Sequence, residues 1–362
     1  MAQRERHIFA AGNTARGYRT FYDSVLEGME RVYILTGVVE GITSGLIETI
    51  GNELGRKTNH IEWIHSPFMN GQYDGVIFHE WKAAIMDGSY PRIWRPSAPG
   101  VTEIQVNLQT CVGIDQLTRY KGQIGAWYEE IFRISEEAYA AYGEALRIHD
   151  EWEAPYIANL DREKANRVTE EVLALFFGDE SLGKESRVRR MYLGAATPQG
   201  PVDHIMQLTD HLEKRYFLKG RPGSGKSTML KKLVSEAQKR GFEAEVYHCG
   251  LDPHSLDMVI VPEKGLTIFD STAPHEYFPS KETDEVIDMY ERAITPGTDE
   301  KYQEELMDIK VRYRQKMQEA TALLGGAKEL REQLNNVYQE VTDQPRLKAV
   351  AQAIMSRLAR MS

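Results

Sequence analysis

The amino-acid sequence repeats itself over almost half of its length. Gly37 and Gly220 lie 183 positions apart, and at that offset a long stretch of the chain aligns with itself without a gap. A repeat unit of this size is a domain rather than a solenoid module, so we expect two related domains, residues 1–183 and 184–362. The matching segments include IFAAGNTARG at 8–17 with MYLGAATPQG at 191–200, ERVYILTG at 30–37 with EKRYFLKG at 213–220, and AAIMDGSYP at 83–91 with LTIFDSTAP at 266–274.

Composition narrows the class of protein. The chain has 362 residues, 41% hydrophobic content and a formal net charge of −10. That charge argues against nucleic acid as a partner, because phosphate binding needs clustered Lys and Arg. The N-terminal sequence is charged, and no stretch approaches the roughly 18 apolar residues of a membrane span. Cys111 and Cys249 lack metal-ligand spacing, so we expect a cytoplasmic protein without a membrane partner.

Each half alternates apolar, strand-like runs with helical patterns, which predicts an α/β fold with a largely parallel sheet and flanking helices. The segment GDESLGKESRVRR at 178–190 is predicted to link the halves, although its basic end is also compatible with a partner-binding patch. From about residue 298 the apolar positions repeat every 3.6 residues, which indicates a helical extension. Gly325 and Gly326 are predicted to turn this extension into a helical hairpin, and a similar hairpin is expected after the first half.

A phosphate-binding motif occurs in the second half only. GRPGSGKS at 220–227 matches G-x-x-x-x-G-K-[S/T] between a predicted strand and a predicted helix. Glycines let backbone amides approach phosphate oxygens, Lys226 would reach the β- and γ-phosphates, and Ser227 would ligate Mg²⁺. The candidate nucleotide-binding residues are Gly220, Arg221, Pro222, Gly223, Ser224, Gly225, Lys226, Ser227 and Thr228.

Asp270, at the end of LTIFD, is the candidate acidic residue for Mg²⁺; the alternative is that it caps the following turn. With this residue and the loop, the chain resembles the P-loop NTPase superfamily, and more closely a group of bacterial ATPases built from two such domains. The resemblance implies two tandem P-loop NTPase-like domains that bind ATP and Mg²⁺, with Lys226 and Asp270 as catalytic residues. Many relatives that hydrolyse ATP have Glu after this Asp, whereas Ser271 follows here, so any general base must come from elsewhere.

The first copy of the motif is degenerate. At the offset of 183, the residues aligned with Gly223, Gly225 and Lys226 are Glu40, Ile42 and Thr43. These changes predict that the first half binds no nucleoside triphosphate. They place a carboxylate in the anion site, put a β-branched side chain in place of glycine and remove the lysine. It would act as a scaffold or regulator, and packing of the two copies could supply an interface that completes the active site.

Other polar residues are weaker candidates. His248 ends a strand after the phosphate loop, where ligands bind in α/β folds, and is a third catalytic candidate. Its counterpart His65 is present in the degenerate copy, so a structural role is equally compatible. Asp252, His254 and His275 differ from the first copy and could contact phosphate or substrate; the alternative is that they are loop residues without chemistry.

Two features distinguish the halves further. KVRYRQK at 310–316 would form either a basic lid over the phosphates or a solvated helix paired with Asp308 and Glu319. All five tryptophans are in the first half, where core and interface packing is favoured over a stacking platform. They are Trp63, Trp81, Trp94, Trp127 and Trp152.

Three functions fit these residues. The first is an ATPase in which water attacks the γ-phosphate and hydrolysis moves the second domain against the first. The second is a kinase of a small molecule or nucleotide, bound near His248, Asp252 and His254. The third is a nucleotide-sensing interaction protein that uses its helical extensions to hold a protein partner.

Overall fold

The computed structural model describes residues 4–92, 94 and 96–360. The strands of the first half are β1 (Arg4–Ile8), β2 (Ala11–Thr14), β3 (Gly17–Thr20), β4 (Arg31–Thr36), β5 (His60–His65), β6 (Tyr73–Phe78), β7 (Ala83–Asp87) and β8 (Glu103–Asn107). Its helices are α1 (Tyr22–Val25), α2 (Glu40–Gly55), α3 (Ile114–Thr118), α4 (Lys121–Ala158) and α5 (Arg162–Phe177).

The second half repeats this order. Its strands are β9 (Val188–Tyr192), β10 (Gly194–Thr197), β11 (Gly200–Asp203), β12 (Lys214–Lys219), β13 (Ala244–His248), β14 (Leu256–Val261), β15 (Leu266–Asp270) and β16 (Glu285–Asp288). Its helices are α6 (Ile205–Thr209), α7 (Lys226–Arg240), α8 (Met289–Ala293), α9 (Thr298–Lys301), α10 (Gln303–Glu340) and α11 (Gln344–Leu358).

Two mostly parallel, six-stranded sheets form the centre of the described structure, as the α/β prediction requires. The first has the strand order β1-β5-β6-β7-β4-β8 and the second has β9-β13-β14-β15-β12-β16. Only β6 and β14 run against their neighbours. Each strand of one sheet therefore has a counterpart at the same place in the other, and the small hairpins β2–β3 and β10–β11 correspond in the same way.

Residues in successive positions of the strands are buried on opposite faces of each sheet. In β4, Tyr33 and Leu35 pack under helix α2, whereas Val32 and Ile34 belong to a central core that also contains residues of the second sheet. Burial on both faces explains why the strands read as continuous apolar runs. Helices α1 and α6 contribute to the same central core.

The helices that follow each sheet cover the other half of the molecule. Val168, Val172 and Phe176 of α5 pack with α7 on the outer face of the second sheet. Ile354 and Leu358 of α11 pack with α2 on the outer face of the first. The packing units therefore do not coincide with two halves divided in sequence near residue 183.

The two 38-residue helices α4 and α10 lie antiparallel against one another. Their direction follows from two contacts: Gly326 lies against Ile134, and the Tyr313 ring lies 5.8 Å from the Trp152 ring. The predicted turn at Gly325 and Gly326 is wrong, because α10 continues through both glycines. Each glycine costs a helix only about 1 kcal/mol, which packing against a long partner helix can offset.

The turn lies further along the chain, at residues 341–343. Asp343 caps α11 by accepting a hydrogen bond from the Arg346 amide at 3.0 Å. Asp161 caps α5 in the same way, accepting from the Lys164 amide at 3.0 Å. A short acceptor side chain at the N-cap, rather than glycine, therefore determines where each extension turns.

The basic residues of the predicted linker bind within the molecule. Arg187 pairs with Glu27, and Arg189 forms a buried ion pair with Glu62 of the first sheet. No helix in the described ranges combines the length and hydrophobicity that a bilayer-spanning segment needs.

Candidate functional site

The loop at 220–225 connects the end of β12 directly to the start of α7. Gly220, Gly223 and Gly225 have φ angles of 148°, 74° and 91°. At Gly223 space is limited as well, because a Cβ atom there would lie 2.8 Å from the carbonyl oxygen of Glu153 in α4. The loop conformation therefore depends on glycine, and one of its glycines is in close contact with the first half.

Lys226 is the first residue of α7 and is buried. Its ammonium Nζ donates to the carbonyl oxygens of Gly220 and Arg221, both at 3.1 Å. The same atom lies 3.5 Å from Oδ2 of Asp270. The sequence-predicted cation and carboxylate are thus brought together at the mouth of the loop.

Asp270 reaches this position because β12 and β15 are adjacent and parallel, with Leu218 opposite Asp270. Its Oδ1 accepts from the amide and the hydroxyl of Thr272, at 3.1 and 2.6 Å. The predicted turn-capping role is therefore present, yet it uses one oxygen only. The other oxygen faces Lys226.

Ser227 Oγ accepts a hydrogen bond from the Leu256 amide at 3.0 Å. In the first half, Ser44 Oγ accepts from the Tyr73 amide at 2.8 Å in the same way. This bond fixes α2 and α7 to the start of the antiparallel strands, which gives a structural reason for serine in both copies.

A second carboxylate, Asp257, lies beside this group. Burial and the neighbouring Asp270 carboxylate raise the pKa of Asp257 to about 6, against the lowering effect of a hydrogen bond donated by the Cys249 thiol. At the offset of 183, Asp257 aligns with an identical residue of the first half, Asp74. Its closeness to Asp270 follows from the antiparallel pairing of β14 with β15, in which Met258 faces Phe269.

The remaining loop residues have different environments. Arg221 pairs with Asp299 at 2.7 Å and lies over the Tyr290 ring. Ser224 is buried and donates to the Arg221 carbonyl oxygen at 2.7 Å, which closes the loop on itself. Pro222 is half-buried and Thr228 is exposed.

His248 does not join this group. Its Nδ1 donates to the Pro253 carbonyl oxygen at 2.6 Å, so its Nε2 is the acceptor for Arg190 at 3.2 Å. Phe21 of the first half packs on the ring. Burial lowers the pKa of His248 to about 4, which keeps the ring neutral at physiological pH.

The other candidates, Asp252, His254 and His275, have polar partners of their own. Asp252 pairs with Arg16 at 3.3 Å and accepts from the His254 amide. His275 Nδ1 lies 2.6 Å from Asp203 Oδ2. That contact raises the pKa of His275 despite burial, which by itself lowers it.

In the first half, side chains fill the equivalent site. The Arg92 guanidinium lies 2.5 Å from Asp74 Oδ1 and 3.0 Å from Asp87 Oδ2, the counterparts of Asp257 and Asp270. Glu40, the counterpart of Gly223, lies 3.4 Å from the same guanidinium. These ion pairs are almost completely buried, so a carboxylate and a guanidinium occupy this site in the first half.

Each loop is also covered by the long helix of the other half. Over the first loop, Asn335 of α10 accepts from the Gly41 amide at 3.0 Å, and Arg331 pairs with Glu40. Over the second loop lie Glu153 and Ile157 of α4, against Gly223. Burial lowers the pKa of His149, one turn before Glu153, and the nearby Lys226 ammonium also lowers it. These α4 residues could not be predicted from the sequence, because nothing in a helical repeat indicates which loop it covers.

The basic segment of α10 pairs with carboxylates. Arg312 binds Asp308 and Glu151, both at 2.7 Å. Lys316 binds Glu319 at 2.9 Å and Glu144 at 2.7 Å. These contacts agree with the paired-helix alternative and tie α10 to α4.

Comparison of the chain with protein-family models, with curated proteins and with solved structures found no match. Among the described residues, no group of three or more His, Cys, Asp or Glu side chains is arranged to hold a metal ion.

Proposed function

We propose that the protein binds Mg·ATP at residues 220–228 and hydrolyses it there, with the first half as scaffold or regulator. One observation carries the proposal: a glycine-dependent loop between a strand and a helix places Lys226 Nζ at two loop carbonyls and 3.5 Å from Asp270. The resemblance of the motif to P-loop NTPases supports the same conclusion.

The residues of the loop fit a triphosphate. The start of the 15-residue helix α7 offers free amides and the positive end of the helix dipole, and Lys226 adds a full charge. Gly220–Thr228 would surround the phosphates, while Ser227 and Asp270 would hold the metal. When bound, Mg²⁺ supplies charge neutralisation at the phosphate oxygens.

The chain's own contribution to hydrolysis would be positioning rather than covalent chemistry. Ser271, at the position where many relatives have Glu, is fully buried and donates its hydroxyl to the Tyr277 carbonyl oxygen at 2.7 Å. It is therefore committed to a structural bond. The chain would align water through residues near the loop, without a carboxylate at this position.

A nucleotide-sensing role is the second candidate, favoured by the contact between Gly223 and α4. A ligand that changes the loop would act directly on Glu153 and Ile157, and α4 packs against α10 along its length. Binding in one half could therefore alter the helices that cover both halves.

Phosphate release by the purified protein with Mg·ATP, alone and with a pool of small metabolites, distinguishes these functions. Release by the protein alone supports hydrolysis, a phosphorylated metabolite supports a kinase, and binding with neither product supports a sensor. Lys226→Ala should abolish turnover and weaken ATP binding. The matched control is Lys239→Ala, an exposed lysine at the other end of α7. If both variants bind and turn over ATP like the parent protein, the site is wrongly assigned.

A further inference from the structure

Two aspartates occupy equivalent places in the two halves, and in the first half a cation lies between them. Asp74 and Asp87 both bind the Arg92 guanidinium, and Ser66 accepts from the same group at 3.2 Å. The pairing of Gly75 with Met86 puts the two aspartates next to one another at the end of the sheet. This arrangement is stable in the first half because a positive charge separates two buried carboxylates.

The second half keeps the two carboxylates but not the arginine. Asp257 and Asp270 are the counterparts of Asp74 and Asp87, and Asp270 is held by Thr272 as Asp87 is held by Ser89. His275 aligns with Arg92, and Asp203 binds its ring at 2.6 Å. The counterpart of Asp203 in the first half is Thr20, so this contact is specific to the second half.

Ser227 lies next to the same pair. Its hydroxyl accepts from the amide of Leu256, the residue that precedes Asp257. Asp257, Asp270 and Ser227 therefore bring two carboxylates and one hydroxyl to the mouth of the loop. Carboxylate and hydroxyl oxygens are the donors that Mg²⁺ and Mn²⁺ prefer, and these ions complete their coordination with water and phosphate oxygens.

We propose that Asp257 is a further carboxylate ligand of the divalent cation. The ion then occupies the position in the second half that the Arg92 guanidinium occupies in the first. This inference rests on the proposed function. It adds that the cation site has two carboxylates, and that one copy replaced the metal with a side chain of its own.

The test is Mn²⁺ binding to the full-length protein, followed by electron paramagnetic resonance with and without ATP. Asp257→Asn should weaken Mn²⁺ binding about tenfold or more, because one charged donor is lost. The matched control is Asp210→Asn, which removes a carboxylate with a 74% exposed side chain and should leave Mn²⁺ binding unchanged. Thermal unfolding of both variants shows whether they are folded.

A second variant introduces the residue that the first half has at the equivalent position, Arg92. His275→Arg should introduce a guanidinium between Asp257 and Asp270 and remove Mn²⁺ binding. Unchanged Mn²⁺ binding in folded Asp257→Asn, or no Mn²⁺ binding by the parent protein in either condition, overturns the inference. ATP binding in the presence of EDTA is measured in parallel. If the parent protein binds Mn²⁺ through Asp257 but never binds ATP, the proposed function fails and the cation site remains.

Discussion

Arg331 and Glu40 form a buried ion pair between the two halves, with Arg331 Nη1 2.9 Å from Glu40 Oε1. Arg331 belongs to α10 of the second half, and Glu40 begins α2 of the first. Glu40 stands where the second half has Gly223. The residue that closes the first site is therefore held by the opposite half of the chain.

Loss of this pair should destabilise the protein. Arg331→Ala leaves Glu40 buried with only the longer contact to Arg92, and we expect a loss of about 2–4 kcal/mol in the free energy of unfolding. Urea denaturation measures the effect. Arg147→Ala, which removes an arginine whose side chain is 72% exposed on α4, should change stability by less than about 0.5 kcal/mol. Equal effects of the two substitutions would contradict this account of the pair.

Gly223→Ala should disrupt the loop. The added methyl group would lie 2.8 Å from the Glu153 carbonyl oxygen. The alanine would also have to adopt a positive φ angle, which residues with a side chain rarely do. We expect a destabilisation of about 1–3 kcal/mol and weaker ATP binding. Gly125→Ala in α4 has open space at its Cβ and should stabilise the helix by about 0.5–1 kcal/mol. Unfolding curves and ATP titrations of both variants provide the comparison; intact ATP binding by Gly223→Ala would count against the site.

ATP should change the tryptophan fluorescence of the protein. Trp152 lies on α4 one residue before Glu153, with Lys310 Nζ 5.6 Å from its ring centre, so it reports movement at the contact between α4 and the loop. Trp152→Phe should remove most of the change. Trp94→Phe, which alters a ring stacked on Tyr22 in the first half, should preserve it. A signal that survives in Trp152→Phe would exclude Trp152 as the reporter.

Acid should weaken the contact between the halves at a histidine cluster. His7, His65 and His204 lie together, with ring centres of His65 and His204 4.5 Å apart. Burial and neighbouring histidines together lower the pKa of His65 to about 3 and that of His204 to about 4. The unfolded chain, with histidine pKa values near 6.5, therefore binds more protons below that pH, and stability falls as pH decreases from about 7 to 4.

His204→Phe tests this prediction, since Phe21 occupies the equivalent position in the other half. The variant should lose about 2 kcal/mol less stability than the parent between pH 7 and pH 4. The measured quantity is the difference in stability between variant and parent. Burial raises the pKa of Asp87 and Asp257 to about 6, so these two groups have the opposite effect on stability over the same pH range. Parallel pH profiles of the two proteins would rule out the cluster as the cause.

The duplication predicted much of the fold from sequence. Alternating apolar runs at an offset of 183 residues correspond to two sheets with the same strand order, and Asp270 lies beside Lys226 as the motif predicted. The exchange of α5 and α11 could not be predicted, because an amphipathic helix fits the apolar face of either sheet equally well in sequence.

The filling of the first site had a partial signal in the sequence. Glu40 aligns with Gly223 and Arg92 aligns with His275, so the first copy has a carboxylate and a guanidinium at positions where the second has neither. From the sequence, Glu40 by itself indicates loss of phosphate binding. Only their distance in space shows that the two charges are partners.

The position of α5 and α11 has a consequence for how such a chain can arise and be divided. One half by itself would expose the apolar face that its sister's terminal helix now protects, unless a second copy of the same half supplied that helix. The arrangement is therefore equivalent to a domain-swapped homodimer whose subunits have been fused into one polypeptide. Fragments cut near residue 183 should be recovered together as a reassembled pair rather than as two independent monomers.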